Sequence, residues 1–88
     1  MAHYDIEFTA SASRQFLKLD ASARKRIAPA IDALADDPGP PGATTLSGVE
    51  KLYRIRVGPY RVVYAIEDDR LVVLVVKVGH RRDIYRDL

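Results

Sequence analysis

The first forty residues change from a strand pattern to a helix pattern. Residues 3–8 alternate polar and apolar side chains, so their apolar side chains share one face of a predicted strand. Thr9 and Asp20 are residue types that cap helix N-termini, and apolar residues recur at helical spacing after each of them. We therefore predict a strand and then a helical hairpin, which ends at the proline- and glycine-rich loop of residues 37–42.

The second half of the chain is predicted to form strands. Two dipeptides typical of tight turns, Gly58-Pro59 and Asp68-Asp69, divide it. The segments that they separate are rich in β-branched and aromatic residues and span residues 52–57, 60–67 and 70–78. The third segment is apolar at nearly every position, as expected of a strand inside a sheet. The chain is therefore predicted to be one α+β domain, residues 1–88, in which a three-stranded antiparallel run completes a small sheet packed on the helices.

Composition excludes several kinds of chemistry. The chain has no cysteine and only two histidines, His3 and His80, so we expect neither thiolate chemistry nor a metal site. The longest apolar run, Leu71 to Val76, is too short to cross a membrane, and no export leader opens the sequence. We expect a cytoplasmic protein that uses no metal and no cofactor.

Charge is divided unevenly between the two halves. Residues 1–50 contain five Lys/Arg against seven Asp/Glu, a net of −2, whereas residues 51–88 contain nine against five, a net of +4. A basic half of this kind indicates an anionic partner, and nucleic acid is the first candidate. The alternative is an ordinary solvated surface, where charged side chains are common.

Three arginines converge on one face of the predicted sheet. If Gly58-Pro59 is a two-residue turn, Arg56 lies directly opposite Arg61, and Arg54 follows two residues along the same face. Like charges directly opposite each other destabilise a strand pair, so this arrangement indicates that the face binds an anion. Alternatively, the arginine stems lie along apolar surface and only their ends reach solvent.

The same counting places the C-terminal segment beside these arginines. A two-residue turn at Asp68-Asp69 pairs Arg61 with Val76 and leads the chain after it to the basic end of the sheet. The functional candidates that arrive there are Arg81 and Tyr85. This register also puts Lys77 on the core face, where a charged side chain is unexpected.

His80 is a general-base candidate by residue type. No carboxylate or serine accompanies it in the sequence pattern, so we expect a structural role. The serines and Asp83 form no recognisable nucleophile arrangement either. The residues by themselves therefore give no signal for a hydrolase triad.

Several segments carry motifs of a known family. They are LSG at residues 46–48, LYRIRVGPYRVVY at 52–64 and VGHRRDIY at 78–85, together with YDIEF at 4–8 and KLD at 18–20. With these motifs the chain resembles the RelE branch of the RelE/ParE toxin superfamily over nearly its whole length.

This resemblance implies a toxin encoded in a two-gene module with an antitoxin. Members of the branch enter the ribosomal A site and cut messenger RNA, so the ribosome and mRNA are implied as further partners. The positions that match the family's working residues are Arg54, Arg56, Arg61, Arg81 and Tyr85. The first two positions are often lysines in the family, and arginine, unlike lysine, cannot be tuned to give up a proton.

The implied reaction is attack by a ribose 2′-hydroxyl on the adjacent phosphodiester, which gives a 2′,3′-cyclic phosphate and a new 5′-hydroxyl. In this reaction Arg54, Arg56 and Arg61 stabilise charge on the phosphorane-like oxygens. Tyr85 takes the proton from the 2′-hydroxyl, and Arg81 faces the leaving oxygen. Two further residues, Lys51 and Arg82, join the arginines in the expected RNA-binding set.

Two other functions fit parts of the pattern. A ParE-like member of the superfamily would bind DNA gyrase and perform no chemistry, although such relatives generally lack the joint arginine and tyrosine set. A non-catalytic module that binds RNA or an antitoxin would explain the absence of lysine at residues 54 and 56.

Overall fold

A computed structural model describes residues 3–39, 44–45 and 52–84, with residues 44–45 described by their backbone alone. The elements in chain order are β1 (Asp5–Phe8), α1 (Ala10–Lys18), α2 (Ala21–Ala33), β2 (Thr44–Thr45), β3 (Leu52–Val57), β4 (Tyr60–Glu67) and β5 (Val72–His80). The predicted α+β order of one strand, two helices and a three-stranded antiparallel run is confirmed. The short strand β2 was not predicted.

Both helices begin at the predicted capping residues. The Thr9 side chain accepts a hydrogen bond from the backbone N–H of Ala12 at 3.0 Å, and Asp20 accepts one from Ala23 at 2.7 Å. These bonds satisfy backbone donors that the first turn of each helix leaves free. Arg24 of α2 donates to the carbonyl of Leu17 near the C-terminal end of α1, where a cation is favourable.

The five strands form one sheet in the order β1-β5-β4-β3-β2. β1 runs parallel to β5, and the other neighbouring pairs are antiparallel. β5 is therefore an interior strand, which explains its apolar sequence on both faces. No helix within the described residues is long and apolar enough to span a membrane.

The main core lies between the helices and one face of the sheet. Its buried members are Ala12, Ala23, Ile27, Ile31, Leu34, Ile55, Val62, Tyr64, Val73, Val75 and Val78. Tyr64 is the largest fully buried side chain; it stacks on Tyr53, and its hydroxyl donates to the Pro38 carbonyl at 2.7 Å. This bond ties the segment after α2 to the middle of the sheet.

The second β-hairpin differs from the predicted register at its turn. The turn spans four residues, 68–71, instead of the two residues Asp68-Asp69, and Glu67 pairs with Val72. Leu71 closes the turn with a φ of 53°, in the left-handed region that non-glycine residues rarely adopt. The predicted start of the last strand at residue 70 was therefore wrong by two residues.

A bulge in β5 adds a second change of register. Val63 pairs with Lys77, whereas the next residue of β4, Tyr64, pairs with Val75, which leaves Val76 as the extra residue. A bulge of this kind reverses the alternation of faces beyond it. Lys77 therefore lies on the face away from the core, and its predicted place on the core face was wrong.

Beyond the end of β1, a side chain of α1 accepts a hydrogen bond from the outer edge of β5. The register of β1 with β5 stops at Phe8 and Val75. Three residues farther along β5, the backbone N–H of Val78 donates to Oε1 of Gln15 in α1 at 2.9 Å. The glutamine thus satisfies a donor that a neighbouring strand would otherwise have to satisfy.

Candidate functional site

The sheet face away from the helices carries a group of cationic side chains that we call the basic face: Arg54, Arg56, Arg61 and Lys77. Arg56 lies directly opposite Arg61, as the sequence predicted, and Arg54 lies opposite Val63, with Lys77 on the other side of Val63. Val63 is fully buried although it is not part of the main core. The half-buried Arg54 and Lys77 are its neighbours across the sheet.

The predicted partner of Arg61 on β5 was wrong. Arg61 pairs with Gly79, three residues beyond the predicted Val76, because the longer turn adds two residues and the bulge adds one. Gly79 has no side chain that would lie beside Arg61 on the basic face. The corrected register therefore brings the C-terminal end of β5 closer to the arginines than the prediction did.

The turn between β3 and β4 has the two-residue form that was predicted. Val57 pairs with Tyr60, and Gly58 has a φ of +59°, which a two-residue hairpin turn of the primed type needs at its first position. Pro59 then supplies a fixed φ at the second position. This short turn is what sets Arg56 and Arg61 opposite each other.

The guanidinium of Arg61 is folded back onto this turn. Its Nη1 donates to the Gly58 carbonyl at 2.9 Å and to the Tyr60 carbonyl at 2.8 Å. A guanidinium has five N–H donors, so these two bonds do not use the Nε and Nη2 hydrogens. The two bonds fix the direction of the group before any ligand arrives.

The segment after β5 meets the same turn. The backbone N–H of Arg81 donates to the Pro59 carbonyl at 2.8 Å, and Asp83 and Ile84 both donate to the His80 carbonyl. Arg81 and Arg82 are exposed beside the turn, whereas Ile84 is buried. Arg81 therefore lies at the basic end of the sheet, as predicted. Two other predicted site residues, Tyr85 and Lys51, lie outside the described residues.

Ile84, the last described residue, is anchored next to the basic face. A side-chain carbon placed on Gly79 would lie 3.8 Å from the Ile84 Cδ1, an ordinary contact distance. Because Gly79 is the partner of Arg61, Ile84 lies beside the arginine pair.

His80 caps the turn that follows it. Its Nδ1 accepts a hydrogen bond from the backbone N–H of Arg82 at 3.2 Å, and its ring packs edge-on against Tyr60. The bond and the ring contact hold the imidazole against the backbone of the turn and against β4. This geometry favours the structural role that we predicted for His80.

Arg56 and Arg61, the opposed pair of the basic face, form no ion pair with a carboxylate among residues 3–39 and 52–84. His3 is paired with Asp36, and Arg70 is paired with Glu7 and Glu67, all away from Arg56, Arg61 and Arg81. Arginine stays protonated at any physiological pH, so these positive charges are permanent. The described residues also contain no group of three or more His, Cys, Asp or Glu side chains that could hold a metal ion.

Lys77 is the member of the basic face that sequence reasoning missed. The signal was present, because a single charge in an otherwise apolar strand should lie on the polar face of the sheet. A shift of register by an odd number of residues satisfies that condition, and the bulge at Val76 supplies it.

Comparison with known proteins agrees with the fold and the motifs. The family described as the ParE toxin of type II toxin–antitoxin systems matches residues 6–85 of the chain. The toxin RelG of Mycobacterium tuberculosis is 33% identical, over 94% of this chain and 97% of its own length. The mRNA interferase toxin RelE of Escherichia coli is 29% identical, over 89% of this chain and 83% of its own length.

A solved structure shows the same fold. The toxin chain found in the intact E. coli RelBE toxin–antitoxin complex matches with a TM-score of 0.77 and 28% identity, covering 88% of this chain and 95% of that chain. The family match extends over most of the chain and includes every described residue of the basic face. The chain therefore belongs to the RelE/ParE superfamily of toxins from type II toxin–antitoxin systems.

Proposed function

We propose that this protein is an endoribonuclease toxin that cleaves messenger RNA in the ribosomal A site and so inhibits translation. The observation that carries the proposal is the direct pairing of Arg56 with Arg61, two positive charges on neighbouring strands that have no carboxylate partner among the described residues. Such a pair lowers stability unless an anion lies between or beside the two groups. The similarity to the mRNA interferase toxin RelE indicates that the anion is an RNA phosphate.

The reaction needs no protein nucleophile. The ribose 2′-oxygen attacks the adjacent phosphorus, the 5′-oxygen of the next nucleotide leaves, and the products are a 2′,3′-cyclic phosphate and a 5′-hydroxyl. Arg54, Arg56 and Arg61 hold the phosphate and stabilise the charge that grows on its oxygens in the transition state. The hydrogen bonds that fix Arg61 on the hairpin turn reduce the reorganisation that this stabilisation requires.

Proton transfer belongs to the C-terminal segment in this proposal. Tyr85 takes the proton from the 2′-hydroxyl as a phenolate, a form that arginines near its hydroxyl would favour. Arg81 faces the leaving oxygen, while Lys51 and Arg82 bind flanking phosphates. The bond between the Arg81 backbone and Pro59 supports this assignment, because it fixes the start of the segment against the hairpin turn.

The partner of the resting protein is a cognate antitoxin. The solved complex of the structural relative supports this, since RelE and its antitoxin RelB are bound together in it. We propose that an acidic amphipathic segment of the antitoxin covers the basic face, and that the 88-residue chain acts as one domain in the cytoplasm. Mixing toxin and antitoxin should raise the melting temperature through mass action. A complex in which Arg56 and Arg61 stay exposed would contradict the proposed contact.

A gyrase inhibitor is the second candidate, because the matching family is described by the ParE toxin. A toxin of that kind would leave messages intact and block supercoiling. A third possibility, a non-catalytic RNA- or antitoxin-binding relative, follows from arginine in place of lysine at residues 54 and 56.

The experiment that separates these functions adds the purified toxin to a reconstituted translation reaction. Primer extension on the translated message should show breaks within codons, and the same message without ribosomes serves as the control. A gyrase supercoiling assay runs in parallel. An intact message with inhibited gyrase would replace the proposal with the second candidate, and an intact message with active gyrase would favour the non-catalytic relative.

A further inference from the structure

A further arginine contacts the Gly58-Pro59 turn from the helix side. A side-chain carbon placed on Gly58 would overlap Nη2 of Arg26 and would lie 2.9 Å from its Cζ and 3.1 Å from its Nη1. All three atoms belong to the guanidinium, so this group lies against the glycine. Arg26 projects from α2 and is exposed, while the next residue, Ile27, is fully buried in the core and anchors the helix there.

Gly58 is thus in contact with two guanidinium groups. Arg61 approaches its carbonyl from the basic face, and Arg26 covers its α-carbon from the side of α2. Two positive charges beside one exposed turn repel each other, and Arg26 forms no ion pair with a carboxylate among residues 3–39 and 52–84. Residue 58 has no side chain on which Arg26 could pack, so at this position the guanidinium meets only backbone.

We propose that Arg26 extends the basic face around the hairpin turn and binds an RNA phosphate that lies outside the cleaved bond. The planar, weakly hydrated guanidinium suits phosphate oxygens, and glycine at residue 58 lets the group approach the turn closely. The inference rests on the proposed function only in naming RNA as the ligand. It adds an element, α2, to a site that the sequence motifs place wholly in the second half of the chain.

Two RNA molecules could supply this phosphate: the message and the ribosomal RNA around the A site. They are distinguished by measuring the binding of Arg26→Ala to vacant ribosomes and to ribosomes programmed with a message that carries 2′-O-methyl riboses in the A-site codon. The modification blocks 2′-hydroxyl attack, so affinity is measured without cleavage. The matched control is Arg14→Ala, which removes an exposed arginine from α1 instead of α2.

We expect Arg26→Ala to weaken binding roughly threefold to tenfold and to reduce the slope of log K against log salt by about 0.7, the value for one single-strand phosphate contact. A loss only on programmed ribosomes assigns the phosphate to the message, and an equal loss on both assigns it to ribosomal RNA. Arg26→Lys keeps the charge without the planar fork and should recover part of the affinity.

Unchanged binding in both arms would overturn the inference, and so would an equal loss in Arg14→Ala. Thermal unfolding of each variant checks the fold, and Arg26→Gln, which keeps most of the stem, replaces Arg26→Ala if the latter does not fold. Cleavage of an unmodified message by the unaltered protein is measured separately. Failure of that reaction would reject the proposed function, while the binding comparison would still decide the role of Arg26.

Discussion

The two hairpins at opposite ends of β4 differ in how they treat charge. At the Gly58-Pro59 turn, which we call the basic hairpin, Arg56 and Arg61 face each other without a carboxylate partner among the described residues. At the turn of residues 68–71, the acidic hairpin, Arg70 is paired with Glu67 at 3.0 Å and with Glu7 at 3.6 Å. Arginine is thus paired with carboxylates of the protein at one end of the strand, and at the other end it has no such partner among the described residues.

The two turns also differ in the type of residue that adopts a positive φ. The basic hairpin uses glycine where φ is positive, whereas the acidic hairpin puts Leu71 in the left-handed region. The first turn is held from both sides, by the Arg61 side chain and by the backbone N–H of Arg81. We infer that the basic hairpin is built for precise placement of side chains and the acidic hairpin only for reversal of the chain.

The sharpest test of this difference removes one tyrosine hydroxyl from each end of the molecule. Tyr85→Phe should reduce single-turnover cleavage on programmed ribosomes by roughly 10²–10⁴-fold, as expected for loss of a general base, with binding nearly unchanged. Tyr4→Phe is the matched control, because the Tyr4 hydroxyl donates to Asp68 of the acidic hairpin at 2.6 Å. That variant should cleave at the parent rate. Parent-rate cleavage by Tyr85→Phe would end the assignment of the tyrosine as the base.

A second pair of variants removes one arginine from each hairpin. Arg61→Ala should lower cleavage by about 10²–10³-fold, since a preorganised donor to the transition state is lost. It should also weaken ribosome binding, and this loss should shrink at high salt. Arg70→Ala should leave both properties unchanged and cost less than about 1 kcal/mol of stability, because its ion pairs are exposed. Equal losses in the two variants would mean that the two ends do not differ in function.

The middle of β4 supplies a prediction about alkaline pH. Burial raises the pKa of Tyr64 from 10.0 to about 12, so the folded state holds this proton more tightly than the unfolded chain does. The contribution of Tyr64 to the free energy of unfolding should therefore be fully present below pH 10 and should be lost as pH rises toward 12. Tyr64→Phe should cost about 1 kcal/mol at neutral pH through loss of the bond to Pro38, and should flatten this alkaline decline. Urea unfolding at several pH values measures both effects, and an equally steep decline in Tyr64→Phe would assign it to other groups.

The smallest effects are expected from two variants that exchange glycine and a larger residue at the positive-φ position of each turn. Gly58→Ala should destabilise the protein by about 1 kcal/mol, because an L side chain is strained at a φ of +59°. Leu71→Gly should stabilise it by at most about 1 kcal/mol, since it relieves that strain at an exposed position but adds freedom to the unfolded chain. Thermal unfolding of both variants checks the opposite signs. Destabilisation of both would show that the Leu71 side chain contributes more than its backbone costs.

The basic hairpin was predictable from sequence, and the acidic hairpin was not. Glycine followed by proline leaves few turn geometries, so the pairing of Arg56 with Arg61 followed from counting. In β5 nearly every residue is apolar, so a shift of register changes no visible pattern, and the bulge at Val76 left only the position of Lys77 as a clue.

Other features depend on contacts that no local pattern encodes. The two-residue strand β2 is too short to show a period, and it exists because it pairs with β3. The contact of Arg26 with Gly58 joins a helix to a distant turn. The motifs named Arg54, Arg56 and Arg61, which the structure places on one face of the sheet, whereas the contact of Arg26 with this end of the sheet required the tertiary structure.

The parallel pairing of β1 with β5 has a consequence for how the chain folds during synthesis. Asp5 pairs with Val72, so the first strand leaves the ribosome long before its partner exists. At typical elongation rates the intervening segment takes roughly 3–13 s to make, whereas a hairpin forms in about 1–10 μs. The basic hairpin closes only a two-residue loop, so once both of its strands are free of the ribosome it can form faster than β1 can dock on β5. Until β1 docks, the apolar edge of β5 is open to other strands, which makes late closure the step most exposed to aggregation.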